Sequence, residues 1–130
     1  KKGRGKKFII VDGAMNDLIR PTLYDGHHDI VPVQQFDQDT KPYLCDVVGP
    51  ICESGDYLAQ NRMLPKLEEN DLLAVKSVGA YGAAMSSTYN SRPLIPEILI
   101  NGDNFSVIRR RQTVQENIEL EAIPEWLINQ

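Results

Sequence analysis

A mainly β domain, barrel-like or sandwich-like and carrying only short helices, is the fold predicted for residues 1–130. Three features predict it. The β-branched and apolar runs are short and bounded by glycine, proline, asparagine or aspartate. The stretches able to form helix are brief. Two of the runs are joined by Asn101-Gly102-Asp103-Asn104, residue types that tolerate positive φ in a hairpin. No internal repeat or low-complexity segment interrupts this pattern.

The elements follow in order. Residues 7–12 are a β-branched and aromatic run between Gly5 and Gly13 and make the first predicted strand. Pro21 pushes Arg20 towards extended geometry and presets φ for a first helical turn, so a short turn is predicted over residues 21–24. Strands are predicted at residues 30–35 and 43–48, with the polar loop 37–42 between them. Residues 51–59 mix glycine and small polar residues with apolar ones, and are expected to form an exposed loop with a short helix. Glu69-Asn70-Asp71 introduces a strand over residues 72–78, and the small-residue run 79–85 reads as a helical turn. Residues 97–100 and 105–110 are the arms of the hairpin. Thr113 is placed to cap a helix over residues 114–119, ahead of the tail Pro124-Glu125-Trp126-Leu127.

Composition narrows the function classes. With 42% hydrophobic and 25% charged residues the chain is able to bury a core. A formal net charge of −4 gives no general attraction for phosphate backbones. The basic clusters, residues 1–7 and Arg109-Arg110-Arg111, carry no interleaved aromatics and read as a solvated terminus and a solvated strand end, so no nucleic-acid partner is predicted. No apolar run approaches the ~18 residues of a membrane span, and Phe8-Ile9-Ile10-Val11 is too short for a signal-peptide core. The reading is a cytoplasmic protein. Cys45 and Cys52 lack CxxC spacing, which argues against a disulfide framework or a zinc knuckle. His27-His28 has no ligand spacing typical of zinc and reads as a surface pair at a turn, so no metal is predicted. The chain opens without methionine and is read as a piece of a longer protein.

Individual residues allow two readings each. Arg20 beside the turn at Pro21 suits a carboxylate, although an arginine in such a place is more often an ordinary surface residue. Tyr24 would add a hydroxyl to the same anion if the turn is helical, or sit in the core. Cys52-Glu53 displays a thiol and a carboxylate in a glycine-bearing loop, although a lone cysteine is commonly a small buried hydrophobe, the reading that fits Cys45. Gly79-Ala80-Tyr81-Gly82 allows close backbone approach but lacks a phosphate-loop pattern.

In combination the residues are more specific. Val11-Asp12-Gly13-Ala14-Met15-Asn16-Asp17-Leu18-Ile19-Arg20-Pro21-Thr22-Leu23-Tyr24 resembles a segment of the diaminopimelate decarboxylases. So do Val48-Gly49-Pro50-Ile51-Cys52-Glu53-Ser54-Gly55-Asp56 and residues 79–93, in the same order and with similar separations. Gly13 and Gly26 stand where that family more often has alanine, and neither change removes a candidate functional side chain. The resemblance covers residues 6–110 or so and implies a fold type III enzyme dependent on pyridoxal 5'-phosphate. In that family an α/β barrel precedes a C-terminal β domain like that of alanine racemase. Residues 1–130 resemble the second part, while the barrel, with the cofactor lysine and most of the phosphate site, has no counterpart here.

The resemblance also implies roles. Arg20 and Tyr24 look like the substrate-binding pair, with Arg20 on the distal carboxylate. Cys52 looks like the catalytic proton donor and Glu53 like the contact to the substrate's ammonium end, both reaching into the neighbouring subunit's site of a homodimer. Tyr81 looks like the tyrosine beside cofactor and substrate. The implied reaction is conversion of meso-2,6-diaminopimelate to L-lysine and carbon dioxide by the full-length protein, the isolated chain being inactive. Glu53 favours this over ornithine-type relatives, whose loop carries Cys-Asp. Two rivals stand beside it: a decarboxylase of ornithine, arginine or carboxyspermidine, and a non-catalytic β binding module.

Overall fold

A computed structural model describes residues 5–34 and 41–128, which fall into two compact units, Lys1–Ser86 and Ser87–Gln130. Both combine strands with short helices, and no closed barrel is formed among the described residues.

The first unit holds a three-stranded sheet in the order β1-β3-β4, where β1 is Phe8–Ile10, β3 is Tyr43–Val48 and β4 is Tyr57–Leu64. β1 runs parallel to β3 and β4 antiparallel to it, with Phe8 opposite Asp46 and Cys45 opposite Arg62. A second, two-stranded sheet pairs β2 (Ile30–Pro32) antiparallel with β5 (Leu73–Val75). Pro32 is tolerated because the ladder bonds are Val33 N–H to Leu72 O, 2.9 Å, and Lys76 N–H to Asp29 O, 2.7 Å. Alternation then leaves the proline nitrogen on the unpaired side. Leu18, Ile30, Cys45, Val47, Leu58, Ala59 and Leu64 form the buried cluster between these elements.

Two helices complete this unit. α1 (Arg20–Tyr24) carries Pro21 in its first turn and stops where Asp25 turns left-handed, φ 55, with its N–H returned to the Arg20 carbonyl. α2 (Gly79–Ala84) follows Ser77 and opens on Gly79, both at positive φ, which keeps the preceding strand from running on to residue 78.

The second unit contains the hairpin of β6 (Glu97–Asn101) and β7 (Asn104–Arg109), with Gly102 at φ 58 in its two-residue turn. α3 (Val114–Ile118) begins at a capping box: Glu116 N–H donates to Thr113 Oγ1, 3.2 Å, and Thr113 N–H donates to Glu116 Oε2, 2.8 Å. A single 3₁₀ turn lies at Tyr89–Ser91, and α4 spans Glu125–Ile128.

The structure corrects several expectations. The region predicted as loop with a short helix has no helix, and its last three residues begin the eight-residue strand β4. Consecutive burial of Leu58 and Ala59, followed by Asn61 at φ 53, breaks the alternation that would have marked it. The tail at residues 124–127 carries α4 instead, with Pro124 ahead of its first residue. His28 is buried, not at the surface, since the strand pairing draws it in to the Lys76 carbonyl, Nδ1 to O 3.2 Å. His27 stays exposed and meets Asp29 and Arg62. The predicted strand 30–35 ends at Pro32, and Gln35, residues 1–4 of the basic opening and residues 37–40 of the polar loop lie outside the described residues.

Candidate functional site

Short helices present two of the candidate side chains to each other. α1 is a single turn closed at its C-terminal end on the Arg20 carbonyl, which also accepts the Gly26 N–H at 3.1 Å. α2 presents Tyr81 on its exposed side, and the Arg20 guanidinium carbon lies over the Tyr81 ring, 5.6 Å from the centroid. A guanidinium over an aromatic face leaves its in-plane N–H fork for a planar carboxylate. Tyr24 is four residues after Arg20 on the same helix and is exposed, so helical spacing sets its ring on the side of the guanidinium.

Cys52 and Glu53 are exposed in the tight loop between β3 and β4. The loop curls on itself: Glu53 N–H donates to Ile51 O, 2.9 Å, and Asp56 N–H to Glu53 O, 3.0 Å. Glu53 Oε1 accepts the Gly55 N–H at 3.1 Å and the Ser54 hydroxyl at 3.3 Å. The loop also rests on α1, because Thr22 Oγ1 donates to the Gly55 carbonyl and the Tyr57 hydroxyl reaches Pro21 O at 3.4 Å. Gly55 permits this contact, since a Cβ there would lie 2.9 Å from Thr22 Cγ2. A cavity of about 390 Å³ opens beside the loop and is lined by Glu53, but not by Arg20, Tyr24, Cys52 or Tyr81. The chain therefore brings Arg20 and Tyr81 together and ties the Cys52 loop to the same helix, without enclosing all five candidates in that cavity.

The two thiols differ in surroundings. Cys45 is buried with its Sγ donating to Arg62 O at 3.4 Å, and burial, helped by the neighbouring Asp46 carboxylate, pushes its pKa up. It remains a protonated, inert thiol at neutral pH, as the sequence reading of Cys45 required. Asp46 moves the other way. Burial opposes its charge, but the Asn61 N–H at 2.8 Å and the Lys6 ammonium at 2.9 Å outweigh it and hold the carboxyl below its ordinary range. Arg109 and Arg110, expected at a solvated strand end, are paired with Glu97 and Glu116.

Among the described residues no group of three or more His, Cys, Asp or Glu is placed to hold a metal. The described lysines are exposed, with Lys6 paired to Asp46, Lys7 over the Tyr43 ring at 4.4 Å and Lys66 paired to Glu68. These residues fit the substrate-facing side of an aldehyde cofactor: an arginine, exposed tyrosines, a thiol and a carboxylate. Lys6 and Lys7 line a cavity of about 550 Å³ together with Cys45, Asp46 and Asn61, apart from the candidate side chains.

Residues 1–79 match the family described as pyridoxal-dependent decarboxylase, C-terminal sheet domain. The diaminopimelate decarboxylase of Zymomonas mobilis is 46% identical over 127 residues, covering 98% of this chain and 30% of that protein. The crystal structure of AQ1208 from Aquifex aeolicus aligns with a TM-score of 0.88 at 45% identity, over 92% of this chain and 29% of the other. The crystal structure of diaminopimelate decarboxylase from M. jannaschii, in co-complex with L-lysine, aligns with a TM-score of 0.90 at 31% identity, over 98% and 29%. The chain spans about 30% of the length of the curated relatives it matches.

Proposed function

The chain belongs to the pyridoxal-dependent decarboxylases through their C-terminal sheet domain, and from that premise we propose that it is the C-terminal β domain of an enzyme converting meso-2,6-diaminopimelate to L-lysine and carbon dioxide. The observation that carries this reading is the meeting of Arg20 with Tyr81, beside a helix that also holds the Cys52-Glu53 loop. Relatives named diaminopimelate decarboxylase at 46% and 47% identity support the substrate.

When bound, pyridoxal phosphate, held mainly by the barrel of the parent protein, would supply the electron sink for decarboxylation. The residues of this chain do the rest of the selection. Arg20 binds the carboxylate that is retained, through paired charge-assisted hydrogen bonds, and Tyr24 adds its hydroxyl to the same end. Tyr81 flanks cofactor and substrate and holds Arg20 in place through its ring. Glu53 accepts from the substrate's distal ammonium. Cys52 Sγ gives its proton to the carbon that lost carbon dioxide, so a C–H bond forms where the C–C bond broke. Cys52 and Glu53 act in the neighbouring subunit's site of a homodimer, an arrangement in which one patch on each subunit completes the other. The setting is cytoplasmic. Among the described residues no helix is long and apolar enough to cross a membrane. The 130-residue chain alone is inactive.

Glu53 beside Cys52 separates this reading from an ornithine-type decarboxylase, whose substrate offers no distal carboxylate to Arg20. Steady-state decarboxylation by the full-length parent tests it. Arg20→Ala should lower kcat/KM for meso-diaminopimelate by about 10- to 150-fold, the loss of one charge-assisted contact of ~1.5 to 3 kcal/mol. Cofactor affinity should hold, and ornithine, arginine and carboxyspermidine should remain poor substrates. An unchanged specificity constant returns Arg20 to the role of a surface arginine, and faster turnover of ornithine favours the rival decarboxylase.

A further inference from the structure

Asp56 is only 4% exposed, and among the described residues its carboxylate accepts two backbone N–H groups and no side-chain cation. Oδ1 takes the Met15 N–H at 2.7 Å, and Oδ2 takes the Ile51 N–H at 2.6 Å. Those donors come from distant parts of the chain. Met15 lies in the turn that leads into α1 and Arg20, while Ile51 immediately precedes Cys52. The Asp56 backbone adds a third tie, accepting the Gly49 N–H at 3.0 Å where β3 ends. Gly49 is shaped for the same carboxylate, because a Cβ at that position would lie inside van der Waals contact with both Asp56 oxygens.

We infer that Asp56 is a positioning residue, fixing the loop that carries Cys52 against the segment that enters α1 and so setting where the thiol is presented. The inference rests on the proposed role of Cys52. Two short bonds from a buried carboxylate to backbone leave the loop little freedom, and no other acceptor at this position offers two anionic oxygens at that reach. Proton delivery depends steeply on placement, so an error of an ångström at Sγ is felt in turnover and not in binding. The Thr22 contact to Gly55 holds the far side of the loop but makes no bond to Ile51, so it does not replace the carboxylate.

The test is a double-mutant cycle in the full-length parent enzyme. Asp56→Asn keeps the shape but accepts on one oxygen only, and its NH₂ faces a backbone N–H. It should lower kcat on the order of ten- to a hundredfold while KM for diaminopimelate and cofactor affinity stay within about twofold. In a Cys52→Ala background the same change should cost less than about twofold more, because Asp56 acts through the thiol. Losses that multiply independently would overturn the positioning role and leave the functional reading intact. Full activity of Cys52→Ala would remove the functional reading and this inference with it. Where Asp56→Asn yields no soluble enzyme, Gly49→Ala carries the test. Its backbone is not left-handed, so alanine fits, and the new methyl displaces the carboxylate. It should show the same kcat loss at constant KM, and wild-type turnover in that variant would refute the inference.

Discussion

In Lys1–Ser86, apolar side chains from β2, β3 and β4 meet Leu18 in one buried cluster, and polar ties such as Asp46 to Asn61 and Lys6 are built around it. In Ser87–Gln130 no described residue is buried. Its shape comes from a hairpin turn, a capping box and the ion pairs of Arg109 with Glu97 and of Arg110 with Glu116. The first unit is specified by burial, which fixes side chains to a single arrangement, and it holds every candidate site residue. The second is specified by backbone geometry and surface charge, which define local form with little cohesion.

The contrast breaks if truncating apolar side chains costs the same in both units. Leu58→Ala, at a position 6% exposed, is expected to destabilise the chain by about 2 to 5 kcal/mol in urea unfolding. Ile100→Ala, in β6 and 71% exposed, should stay within roughly 0.5 kcal/mol. Equal losses would mean the hairpin is as firmly packed as the cluster.

A smaller effect sharpens the comparison. Thr113→Ala removes the cap of α3 and should cost roughly 1 kcal/mol, confined to its own unit. Amide hydrogen exchange should speed up over Val114–Ile118 and stay unchanged over β3 and β4. Faster exchange in those strands would show that the units unfold together.

The smallest effect is a titration. The Arg110 guanidinium, with the Thr113 N–H, lowers the Glu116 carboxyl from 4.5 to about 2. A folded pKa below the unfolded one stabilises above the unfolded value, so the contribution is intact above pH about 4.5 and is lost as pH falls through about 2. Carboxyl chemical shifts should record this, and added salt should raise the Glu116 value more than that of buried Asp46, whose partners are less screened. Equal salt sensitivity would erase the distinction between the two carboxylates.

Local signals in the sequence located much of the fold. β3 has the predicted ends, the hairpin turns at Gly102, Thr113 caps α3, and Pro21 marks α1. What escaped depends on partners far along the chain. β4 pairs with β3 through two register shifts, so its apolar residues do not alternate. His28 is buried by a bond to a carbonyl 48 positions away. The site divides in the same way. Local sequence marks Arg20, Tyr24, Cys52, Glu53 and Tyr81 as candidates and the family resemblance supplies their roles, whereas the contact of Arg20 with Tyr81 is a tertiary fact that no spacing encodes. Thr22 and Asp56 drew no notice, because a threonine and an aspartate acquire their roles only from Gly55 and Met15, 33 and 41 positions distant.

The parallel pairing of β1 with β3 also bears on the order of events during folding. An antiparallel hairpin such as β6 and β7 closes over a two-residue turn, whereas Phe8 meets Asp46 only after the chain between them, including α1 and β2, has come round. Closing so long a loop costs entropy before any ladder bond repays it, so β1 docks late and slowly compared with the hairpin. During synthesis and refolding, the edge of β3 that β1 covers is therefore exposed to pairing with other chains until β1 is seated.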